Sequence, residues 1–84
     1  MSYNERYMRS MFKDIVSTFR IVCRRYLDRQ ITEEDYIDAS KEYHDIFLYH
    51  AEVIATNTYA ESDISKYEDA LIYIMNYTEN VATQ

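Results

Sequence analysis

The sequence predicts an all-α fold, a three-helix bundle or a long helical hairpin with a docked third helix, on three observations. The 84 residues include no glycine and no proline, where average usage of ~7% and ~5% would give roughly six and four. Tight turns, phosphate-cradling loops and strained nucleophile turns draw on those residues for unusual backbone angles. Their absence leaves long helices joined by short polar segments. The second observation is apolar residues recurring at alternating steps of three and four in three segments, the helical period. The third is a capping signal at the head of each segment.

The first helix is expected over about residues 3–28. Ser2-Tyr3-Asn4-Glu5 has capping-box spacing, and Met8, Phe12, Ile15, Phe19, Val22 and Tyr26 form one stripe. Asp28-Arg29-Gln30-Ile31 reads as a break. Thr32 then caps a second helix over about 33–57, with Glu33, Glu34 and Asp35 in the first turn, where the helix dipole favours negative charge. Its expected inner stripe is Ile37, Ser40, His44, Phe47, Ala51 and Ile54, bordered by Tyr36 and Tyr43. Asn57 tolerates a left-handed helix end. A third helix, about 64–79, is expected to start near Ser62 or Ser65, with Tyr67, Leu71, Ile74 and Thr78 on its inner side. Asn80 to Gln84 are expected to fray. One domain accounts for the whole length, 1–84, and a chain this short hides only about 60–65% of its unfolded surface.

The formal net charge is −6, unevenly spread. Residues 1–30 hold seven basic and three acidic side chains, whereas residues 31–84 hold two basic and twelve acidic. No apolar run approaches the ~20 residues that cross a membrane, and no N-terminal segment resembles a secretory signal. The single cysteine, Cys23, has no intramolecular disulfide partner. The expectation is a protein of a reducing cytoplasm, its own or a host's, with no membrane association. Asn76-Tyr77-Thr78 matches a glycosylation pattern, read as accidental without a secretory signal.

Catalytic and metal chemistry is not legible. A calcium loop aligned on Ile31 puts Arg24 and Tyr26 at ligand positions and Arg29 where glycine is needed. His44 and His50 stand six apart, and neither has a Cys, His, Asp or Glu three or four residues away to share a metal. His44 reads as a hydrogen-bonded core histidine and His50 as half exposed. Cys23 has basic neighbours in sequence, but no base and oxyanion site converge on it. The chain is therefore expected to be non-enzymatic, with no metal or cofactor.

Three sets of residues remain as candidate binding surfaces. Glu33, Glu34, Asp35, Asp38, Asp45 and Glu52, extended by Asp63 and Asp69, form an acidic surface suited to a basic partner. Ile46, Tyr49, Val53, Tyr73 and Tyr77 lie off the expected inner stripes and read as an oligomer or partner interface. Arg6, Arg9, Lys13, Arg20 and Arg24 step down one helix over ~27 Å, suited to salt bridging within or between subunits, to nucleotide phosphates or to an acidic partner. Twelve acids elsewhere count against direct nucleic-acid binding.

The stretch from Tyr26-Leu27 through Ile31-Thr32 to Asp35-Tyr36 resembles a local pattern in colicin-D-type immunity proteins, small acidic helical inhibitors of RNA-cleaving toxins. It covers eleven of the 84 residues, and no functional residue is carried over from it. Size, acidity and ten tyrosines also look like small phage-encoded antagonists of host or defence proteins. The functional expectation is an antagonist whose acidic helices occlude a nucleic-acid-handling protein. The alternative is a homo-oligomer that captures a phosphorylated small molecule, such as a nucleotide, through the arginines of helix one.

Overall fold

The computed structural model describes residues 2–78; the expected fraying of Asn80 to Gln84 lies outside the described residues. Helix α1 spans Tyr3–Leu27 and helix α2 spans Glu33–Thr56. A 3-10 turn at Glu61–Asp63 leads into helix α3, Ile64–Met75. All three helices pack on one another in a bundle of 42 × 19 × 17 Å. Three-helix bundle, not docked hairpin, is the architecture.

Local chemistry sets the first two helices. The Ser2 and Thr32 hydroxyls accept from the amides of Glu5 and Asp35 at 3.1 and 3.0 Å, satisfying N–H groups that have no intrahelical partner. Both helices end in a Schellman arrangement. At α1, Gln30 N–H donates to the Arg25 carbonyl and Arg29 N–H to Tyr26. At α2, Thr58 N–H donates to Val53 and Asn57 N–H to Ile54. The left-handed residue is Arg29 (φ 60°) in one and Asn57 (φ 55°) in the other, positions glycine would fill at no steric cost. Helix α3 departs from expectation. Ser65 does not cap it: the 3-10 turn feeds directly into Ile64 without a side-chain cap. The helix also stops at Met75, with a turn through 76–78.

The core takes Met8, Ile15 and Val22 from α1, Ala39, Ile46 and Val53 from α2, and Tyr67, Ala70 and Ile74 from α3. The first two sets advance by seven, as in a coiled-coil seam. Beside them runs an antiparallel aromatic ladder. Phe12 stacks on His50 at 4.1 Å, Phe19 on Tyr43 at 4.3 Å and Tyr26 on Tyr36 at 4.3 Å, between ring centroids. Each rung lies seven residues further along α1 and seven further back along α2.

The α1 stripe is the one expected, but α2 is rotated by one residue, about 100°. Its inward residues are Tyr36, Ala39, Tyr43, Ile46, His50 and Val53, all buried or half-buried. The expected core residues Ile37, Phe47 and Ile54 are 44%, 48% and 43% exposed. His44 and Ala51 are exposed as well. The observed rotation is the one that lets Phe12, Phe19 and Tyr26 of α1 stack on His50, Tyr43 and Tyr36, aromatic pairs that contribute about 0.5–1.5 kcal/mol each beyond area.

Candidate functional site

The rotation of α2 redistributes every candidate surface. Ile46 and Val53, expected at an oligomer or partner interface, are core residues at 5% and 3% exposure. Tyr49 is half-buried, its ring 5.9 Å edge-on from Tyr67, and Lys66 Nζ sits 4.3 Å from its ring centroid. Tyr77 packs against the core, while Tyr73 stays exposed beside it, their hydroxyls 3.4 Å apart. The five residues do not form one exposed patch. The histidines exchange roles too. His44 is exposed, whereas His50 is buried and its Nδ1 lies 2.9 Å from the Tyr67 hydroxyl.

The acidic residues do converge, along the seam between α2 and α3. Asp38, Asp45 and Glu52 step by seven and share one side of α2. Glu42 stands four after Asp38 and three before Asp45, one turn from each. With Asp45, Ile46, Tyr49, Lys66 and Asp69 it lines a groove of about 360 Å³. Burial raises the Glu42 pKa, and the charges of Asp45 and Asp69 raise it further. Asp38 and Asp35 extend the negative field to Tyr77, whose phenol is pushed up first by its Tyr73 hydrogen bond and then by burial. Burial and the Asp63 carboxylate take the Tyr49 phenol up to about 12. Lys66 is the one cation lining this groove.

Of the expected acidic surface, Asp35, Asp38 and Asp45 lie on the seam, and Glu52 lies on the same side of α2 and raises the Tyr49 phenol further. Glu33 and Glu34 are exposed in the first turn of α2. Glu42 is the residue sequence reasoning missed. Its spacing from Asp38 and Asp45 was the available signal.

The basic stripe divides. Arg6, Lys13 and Arg20, again spaced by seven, are exposed, as is Arg24. Arg9 turns toward the α2–α3 connection, bonding Glu5 at 3.2 Å and the Tyr59 hydroxyl at 3.0 Å. That pair with Glu5 is the only ion pair among the described residues, so extensive internal salt bridging of the stripe is not what forms. Cys23 is half-buried, and its thiol raises the pKa of the adjoining Tyr36 phenol. Among the described residues no three His, Cys, Asp or Glu side chains gather as a metal site, and no helix is long and apolar enough to cross a membrane.

Comparison of the chain with protein-family models, curated proteins and solved structures found no match. The segment from Tyr26 to Tyr36 has a local explanation instead: a helix end at left-handed Arg29, then a helix capped by Thr32.

Proposed function

We propose that this chain is a non-enzymatic binding protein that covers a basic, nucleic-acid-handling surface of a protein partner with its α2–α3 seam. The observation that carries this reading is the convergence of Glu42, Asp45 and Asp69 on one groove, with Asp38 one turn from Glu42; burial raises the Glu42 pKa, and the charges of Asp45 and Asp69 add to it. Asp38 to Glu52 spans ~21 Å of helix, about one carboxylate per 7 Å with Glu42 counted, against one phosphate per ~3.4 Å of a DNA strand. A row of that density presents a lysine- or arginine-lined channel with a rigid substitute for a backbone. Gathered carboxylates repel one another in the free protein, and a cationic partner relieves that repulsion on binding. Association is steered by charge and slowed by salt.

The reading is tested by reversing Asp38, Asp45 and Asp69 to lysine, alongside Arg6, Lys13 and Arg20 to glutamine, and measuring capture of cytoplasmic proteins from the source cell. Loss with the first set and retention with the second supports the acidic seam. The reverse order, with thermal stabilisation by nucleotides, supports phosphate capture by the arginines. That second reading rests on the exposure of Arg6, Lys13 and Arg20, which form no ion pair among the described residues.

A further inference from the structure

The rotation that turns Tyr36, Tyr43 and His50 inward leaves a second helical stripe along the outer side of α2, exposed except at half-buried Ser40. Ile37, Ser40, His44, Phe47, Ala51 and Ile54 keep the alternating three–four step over eighteen residues, ~27 Å of helix. Below the stripe the α1–α2 junction opens into a cavity of about 440 Å³ lined by Phe19, Tyr36, Ser40, Tyr43, His44 and Phe47. A neighbouring cavity of about 430 Å³ continues past Ile37 to Lys41 and Asp45.

The charges bordering this face are basic along α1 and mixed along α2, where Glu33 stands four residues before Ile37 on the same stripe. On α1, Lys13 and Arg20 follow the ladder residues Phe12 and Phe19 by one position and are exposed. On α2 the far edge carries Lys41, with Asp45 as the one carboxylate lining either cavity. We infer that the α1–α2 face is a docking groove for an acidic amphipathic helix of a partner protein. Its apolar ridge lies against Phe47, Ile37 and Ile54, and its carboxylates meet Lys13, Arg20 and Lys41. Helix-in-groove recognition reads apolar anchors at this spacing, and flanking charge selects the partner. A second copy of the chain fits poorly. A two-fold axis across the helices lays Lys13 and Arg20 against their own copies, and one along the helices brings them toward Lys41. Asp45 is the one residue this face shares with the acidic groove, so variants at Glu42 and Asp69 on one side and at Phe47 on the other tell the two readings apart.

The test uses the full chain and a fluorescein-labelled synthetic peptide of about 20 residues, helical, with a leucine ridge flanked by glutamates. Two control peptides have lysine flanks or the same composition with the helical period scrambled. Fluorescence anisotropy should show saturable binding of the glutamate peptide, at least about tenfold tighter than either control. Phe47→Glu should weaken it about tenfold or more. Lys13→Glu with Arg20→Glu, a change confined to exposed side chains, should do the same while the circular dichroism spectrum is retained. Variants at Glu42 and Asp69 in the acidic seam, which line neither cavity, should leave binding within about twofold. Equal binding of all three peptides, or undiminished binding by the rim variant, overturns the proposal. So does sedimentation with phosphatidylserine vesicles in the absence of peptide binding, which would make the face a membrane contact.

Discussion

Removing the Tyr67 hydroxyl should be among the most destabilising single-atom changes in this protein. Tyr67 is fully buried and His50 is 7% exposed, with 2.9 Å between the hydroxyl and Nδ1. In Tyr67→Phe the ring still fills its space, so water does not replace the lost group and the imidazole nitrogen is left without a partner. That costs about 1–3 kcal/mol. Unfolding entropy of about 2.1 cal/mol/K per residue over 84 residues converts this to a fall in Tm of roughly 6–17 °C. His50→Phe should cost about as much, because it strands the hydroxyl while preserving the flat contact with Phe12. The double variant decides the matter. With both polar groups replaced by apolar ones of similar shape, it should melt above either single variant, a coupling of about 1–2 kcal/mol. Thermal melts by far-ultraviolet circular dichroism measure all four proteins. A fall below about 3 °C for Tyr67→Phe, or losses that add in the double variant, would falsify the assignment of this bond as a buried, water-free contact.

Burial, and then the charge of Arg9, lower the His50 pKa below 6.5. As pH falls below 6.5, the unfolded chain takes up a proton that the folded one refuses, so stability should drop until the folded value is reached, and His50→Phe should flatten this slope. Glu42 acts oppositely: its pKa is raised in the folded state, so its contribution grows as pH falls toward 4.5, and Glu42→Gln should stabilise the protein at neutral pH. Val53→Glu should abolish cooperative unfolding instead of dissociating an oligomer, because it buries an unpaired carboxylate; a folded, merely monomeric variant would restore the interface reading. Arg29→Gly should raise stability by up to about 1 kcal/mol by removing the left-handed cost at φ 60°, read as a higher urea midpoint with an unchanged slope.

Helix content, the break at Arg29, the caps at Ser2 and Thr32 and the end at Asn57 all follow from residues within a few positions of one another. Each satisfies backbone groups next to it, so neighbouring sequence is enough to specify it. The inner stripe of α1 was equally legible, because only one side of that helix carries an unbroken apolar repeat. Helix α2 carries two such repeats offset by one residue, Tyr36-Ala39-Tyr43-Ile46-His50-Val53 and Ile37-Ser40-His44-Phe47-Ala51-Ile54. Periodicity within the helix does not rank them, and hydropathy favours the wrong one, since the second set holds two isoleucines and a phenylalanine where the first holds two tyrosines. Partners from elsewhere in the chain do rank them: Phe12, Phe19 and Tyr26 stack on the first set, and Tyr67 bonds its histidine. That single rotation moves Ile46 and Val53 into the core, draws Glu42 into the acidic seam and turns Phe47 outward. The helices themselves are a local property of the sequence; which side of α2 faces the solvent is a property of the packed bundle, because only contacts between distant residues distinguish two equally regular faces.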